Sequence, residues 1–166
     1  MELNEFKLKR SLAQIASDAA YRVAGVEFTA QELARAVAIE QGRILACPAL
    51  ESAASAAKSV EAEAKSVAEG LSALAGELSH GSLSRPKEFL LQALDSASKS
   101  LQKQLNIVYD VDDEVADAET DSISLPHAKA GMLNLASSLR ECASAIAELS
   151  SEAEGDISIE MAMKRP

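Results

Sequence analysis

Carboxylates offer the densest chemistry in the chain. Seven of them, Asp110, Asp112, Asp113, Glu114, Asp117, Glu119 and Asp121, fall within twelve residues. Read as a calcium loop, the run has acids at positions one, three, five and twelve, supplying the oxygen ligands a hard cation needs. Position six, however, is Val115, where the loop turns on Gly, and position twelve is Asp121 rather than a bidentate Glu. The run therefore reads as a solvated, self-repelling connector over 110–125, or as an acidic surface for a basic partner.

Other chemistries lack their partners. A di-iron site takes Glu-x-x-His from two helices. The two histidines, His80 beside a cap glycine and His127 beside Pro126, sit at unrelated places, and Ser124 stands three residues before His127. Zinc needs four ligands at short spacings, and two Cys with two His do not supply them. No Gly-x-Ser-x-Gly elbow and no glycine-rich phosphate loop occurs. Cys47 and Cys142 lie in apolar helical surroundings and read as small buried hydrophobes. The chain is expected to be non-enzymatic, with no cofactor, no metal and no small-molecule substrate.

The net charge of −10 is unevenly placed. Residues 110–166 carry thirteen acids against four bases, while residues 1–46 balance. Such a field repels phosphate backbones, so no nucleic acid is expected as a partner. The N-terminus has no apolar stretch before its charges, and no run reaches the roughly 18 apolar residues of a membrane span. A soluble, cytoplasmic protein is expected.

The elements that must position any surface are helices. Of 166 residues, 32 are Ala and 21 are Ser, while aromatics are 3%, a balance that argues against β-sandwiches and barrels. Leu50, Ala53, Ala57, Val60, Ala64, Val67, Leu71, Leu74 and Leu78 alternate steps of three and four. That is a heptad seam about 45 Å long. Ala128, Met132, Leu135, Leu139, Cys142, Ile146 and Leu149 form a second. Leu90, Leu94, Ala97, Leu101, Leu105 and Val108 form a third, and Leu8, Leu12, Ile15 and Ala19 a fourth.

Local signals set the boundaries. Thr29-Ala-Gln-Glu32 reads as a capping box, flanked by Phe28 and Leu33 as a hydrophobic staple, with Gly25 ending the helix before it. Pro48 predicts a kink or tight break near Ala46 and Cys47. Gly81 reads as a left-handed cap, Ser84 as an N-cap ahead of Pro86, and Pro126 as the opening of the last helix. After Gly155 the residues Ile157, Ile159, Met161 and Met163 alternate with polar ones, a strand pattern.

The expected fold is all-α. It is an antiparallel bundle of four to five long, amphipathic, heptad-patterned, Ala/Ser-rich helices near 3–24, 30–46, 49–80, 85–109 and 127–153. An acidic loop spans 110–125 and a short extended tail spans 156–166. The expected function is a structural or protein-interaction component. It presents helix faces and the apolar tail, through Ile157, Ile159, Met161 and Met163, to protein partners or to copies of itself as a homo-oligomer. The alternative is an acidic inhibitor or nucleic-acid mimic that uses the 110–121 carboxylates against a basic protein site.

Overall fold

The computed structural model describes residues 10–44, 47–120 and 124–163, with residue 120 and the stretch 156–163 described by their backbone alone. Four helices account for nearly all of them: α1 (Leu12–Arg43), α2 (Pro48–His80), α3 (Pro86–Thr120) and α4 (Pro126–Met163). No strand occurs among the described residues.

Three of the four helices open on proline, whose missing N–H falls where a helix has no internal acceptor for it. Ahead of α2, Ile44 and Cys47 are both extended, and Cys47 caps α2 by accepting from the Leu50 and Glu51 amides. Gly81 closes α2 at φ 67°, a left-handed conformation that costs glycine nothing. Helix α3 begins at Pro86, so Arg85 rather than Ser84 takes the flanking position, with the Phe89 amide donating to its carbonyl.

Each helix packs extensively on its two neighbours and barely on its diagonal, so the four make a closed square. Side-chain pairs fix the directions. Arg10 meets Glu152 and Glu40 meets His127, so α1 and α4 run antiparallel. Pairs Ser100–Glu63 and Arg140–Tyr109 place α3 between α2 and α4. The core is built from Ala, Leu, Val, Ile and Met, and it includes Leu50, Ala53, Ala57, Val60, Leu90, Leu94, Met132, Leu135 and Leu139. Ala53, Ala56 and Ala57, thin positions that bury little area each, are covered by this same bundle.

The structure corrects three sequence expectations. The helices expected at 3–24 and 30–46 are one helix, α1, which runs through Gly25 and Thr29. Thr29 is not a cap: its Oγ1 donates to the Gly25 carbonyl at 3.0 Å, one turn back, and lies 3.2 Å from Ser138 Oγ. Leu33 is buried while Phe28 is exposed, so no staple forms. A cap is worth about 1 kcal/mol. Burying Val26, Leu33 and Val37 gains roughly 1.5–3 kcal/mol each, so the continuous helix wins. The capping box sits at Ser11 instead, where Ser11 Oγ accepts from the Gln14 amide and Gln14 Oε1 from the Ser11 amide.

The expected acidic loop is helical up to residue 120: Asp110, Asp112, Asp113, Glu114, Asp117 and Glu119 occupy the last turns of α3. Val111 and Val115 extend the buried seam beyond Val108 and hold those turns down. Acids near a helix C-terminus cost about 0.3–1 kcal/mol through the dipole, less than the two valines gain. Asp121 lies outside the described residues.

The third correction is the tail. The backbone stays helical through Gly155 to Met163 rather than becoming extended. A lone strand leaves its amides and carbonyls unpaired, whereas a running helix adds one hydrogen bond for each residue it fixes. The side chains of Ile157, Ile159, Met161 and Met163 lie outside the described residues, as does Leu8 of the fourth seam.

Glycines within the helices test this packing. A Cβ at Gly70 or Gly76 meets nothing within 4 Å, whereas at Gly131 it falls 2.8 Å from Leu33 Cδ1 and 3.4 Å from the Leu33 Cα. Gly70→Ala and Gly76→Ala each raise unfolding free energy by about 0.5–1 kcal/mol. Gly131→Ala lowers it by about 1–3 kcal/mol. Urea unfolding of the three variants checks the opposite signs.

Candidate interaction surface

The carboxylates singled out by the sequence share one helix without converging on a site. Asp110, Asp113, Glu114 and Asp117 are exposed along the outer side of α3, and Asp112 is half-buried. Glu119 turns to α4, its Oε1 3.5 Å from Lys129 Nζ. Among the described residues no three His, Cys, Asp or Glu side chains are grouped to hold a metal ion. No helix among them is long and apolar enough to cross a membrane.

Among the described residues, two polar side chains are buried in the core. Glu40 stands one step beyond Val37 on the α1 seam, and it is fully buried. Its Oε1 accepts from the His127 backbone amide at 3.0 Å, and its Oε2 from Arg43 Nη2 at 2.9 Å. The same Arg43 nitrogen lies 3.5 Å from the Ser124 carbonyl. A carboxylate of α1 thus caps the first turn of α4, where free amides and the positive end of the helix dipole favour negative charge. Gln104 is the second, with its amide oxygen buried on α3 and without a hydrogen-bond partner among the described residues.

The surface departs most from expectation in its aromatics. All four described aromatic side chains lie outside the core: Tyr21 is 80% exposed, Phe28 59%, Phe89 46% and Tyr109 40%. Tyr21 and Phe28 share the outward side of α1 with Ile39, itself 54% exposed. The residues Asp18, Tyr21, Gly25, Phe28, Glu32, Arg35 and Ile39 step by three and four, a second stripe beside the buried seam of the same helix. Sequence reasoning missed it because a break assumed at residues 25–29 cut the stripe in two. Read as one helix, the spacing was visible.

Gly25 opens a notch in that stripe. Beyond its chain neighbours and the backbone of its own helix, no atom stands within 4 Å of where its Cβ would project. A cavity of about 420 Å³ lies there, between Tyr21 and Phe28, with Ser138, Glu141 and Cys142 on its α4 side. Tyr21 and Arg22 also line a neighbouring cavity, and Ser138 and Glu141 line a third, so a groove follows the α1–α4 junction. The thiol beside this groove is not poised to react: burial pushes the Cys142 thiol up to about 11, with Arg22 a smaller opposing influence. The arrangement brings shape, aromatic area and charge together on the outward side of α1.

No family model, curated protein or solved structure matches the chain.

Two experiments probe the buried groups. Glu40→Ala removes the acceptor of His127 and Arg43 and costs about 1.5–3 kcal/mol. Glu40→Gln keeps a neutral acceptor and costs less. Chemical denaturation ranks the three proteins wild type, Gln, Ala. The Cys142 thiol, with its folded value raised from 9.0 to about 11, favours the native state fully below pH 9. That contribution is lost as pH climbs from 9.0 toward 11. At pH 8 the buried Cys142 thiol stays protonated in the native state. Iodoacetamide therefore labels Cys142 only after unfolding, which peptide mass spectrometry reads directly.

Proposed function

We propose that this chain is a non-enzymatic interaction protein, a rigid helical bundle that offers helix faces to protein partners or to copies of itself. One observation carries the reading: the bundle keeps every described aromatic ring outside its core and sets Tyr21 and Phe28, with Ile39, on one outward face of α1. Aromatic rings supply the most binding energy when a partner desolvates them, and interface hot spots are rich in Tyr. Solitary exposed apolar residues are ordinary, but here three share one stripe of α1, interleaved with Asp18, Glu32 and Arg35.

The mass in solution tests this reading. Light scattering at rising concentration gives a particle heavier than 17.4 kDa. Replacing Tyr21 and Phe28 together by Ser returns it toward the single-chain mass while circular dichroism stays unchanged. A wild-type mass of 17.4 kDa at every concentration removes self-association from the reading. The double Ser variant then has to lose a different protein partner for the reading to survive.

A second reading rests on α3, where Asp110, Asp113, Glu114 and Asp117 are exposed together on the last turns. The proposal is an acidic inhibitor, a mimic of a phosphate backbone, that occupies a basic protein site. Its binding to a polylysine column weakens steeply with salt. Retention unchanged between low and high salt rejects it.

A further inference from the structure

We infer that the outward face of α1 is a two-fold, antiparallel interface with a second copy of this chain. The inference rests on the interaction reading above and names the partner of the Tyr21–Phe28 face. The order of residues along the stripe is the argument. From Asp18 to Arg35 the stripe steps by three, four, three, four and three, a spacing that an antiparallel copy keeps, with Ile39 beyond it opposite Gln14 of the second copy. A second α1 laid antiparallel, with the axis between Val26 and Glu27, therefore meets the first in complementary pairs.

Asp18 faces Arg35 of the second copy, an acid against a base, and the pair recurs on the other side of the axis. The two ion pairs stand about 25 Å apart at 1.5 Å per residue. Tyr21 faces Glu32 of the second copy, where a phenol donates to a carboxylate, with Arg22 of the same turn beside that carboxylate. At the axis Phe28 faces the notch over Gly25, and Gly25 receives Phe28 in return, a knob and a hole on each chain. A residue with a Cβ at position 25 would narrow the hole. This gives the glycine, an unfavourable residue in mid-helix, a use.

Charge selects the orientation and the occupant. A parallel pair of α1 helices would set Asp18 on Asp18 and Arg35 on Arg35, whereas the antiparallel pair opposes Asp18 with Arg35 at both ends. Within one chain, Asp18 pairs with Arg10 at 3.1 Å and Glu32 with Arg35. Both are exposed surface pairs, worth little and free to exchange partners. The surface is self-complementary, as a two-fold interface requires.

Charge reversal tests the geometry by sedimentation equilibrium of full-length protein, with circular dichroism confirming that each variant is folded. Wild type rises with concentration from 17.4 kDa to twice that mass. Asp18→Arg alone opposes two bases at both symmetry-related contacts, and Arg35→Asp alone opposes two acids. Each variant weakens its own dimer roughly tenfold or more. An equimolar mixture of the two restores the dimer. In the mixed pair one end keeps the native Asp18–Arg35 contact, and the other carries the same contact with its charges exchanged. Dimers that both variants form as tightly as wild type overturn this interface and leave the interaction reading standing on another face. A wild type that stays monomeric at every concentration overturns it too.

Discussion

An unbroken apolar spacing of threes and fours is the constraint on which the rest of the molecule depends. Helix α1 contains a glycine, a threonine and a capping sequence at which a helix is free to stop, and it stops at none of them. The last turns of α3 carry a dense run of carboxylates and remain helical. In both places the local signal is worth about 1 kcal/mol or less, while each seam residue kept in register buries a side chain worth more. After α1, each helix among the described residues opens on a proline, at Pro48, Pro86 and Pro126. Long helices and short connections follow, and with them a four-helix square in which each helix meets the same two neighbours.

Glu40 is where that constraint meets electrostatics. The seam of α1 arrives at residue 40 with a carboxylate, and the packing buries it completely. A buried charge must be paired or hydrogen-bonded, or it is neutralised. The His127 amide at the start of α4 supplies one partner, with Arg43 closing the other oxygen. Because α1 is the first helix of the square and α4 the last, this contact joins the two ends of the ring. It also sets the start of α4 against α1, which places Gly131 close to Leu33 and draws the helices together beside the groove.

Much of this was legible from residues alone. Prolines at helix starts, the glycine at position 81 and the seams of α2, α3 and α4 are local signals, and all the residues of the α3 and α4 seams are buried. What was illegible required comparing terms of different range. The capping sequence at Thr29 is a correct local motif that a long-range seam overrides, and the alternating residues after Gly155 are likewise overridden by a helix already running. The Glu40–His127 contact joins positions 87 residues apart, and nothing in either neighbourhood announces the other. The capping box at Ser11 was readable as Ser-x-x-Gln and was hidden by a helix start expected near residue 3. For the candidate site the loss was larger, since the outward stripe of α1 exists only if α1 is continuous.

A core of Ala, Leu and Val leaves little room for a ring. Helices that meet through alanine approach closely, and an aromatic side chain inserted between them would force them apart along their length. The described rings of this chain are therefore confined to its outside by the same choice of residues that makes its interior thin. Confinement alone would scatter them over four helices. Instead Tyr21 and Phe28 stand two turns apart on one helix, with an uncrowded glycine between them, Asp18 one turn before Tyr21 and Arg35 two turns after Phe28. Core packing accounts for the exposure of these rings but not for their order, and it is that order which the proposed second copy of α1 explains.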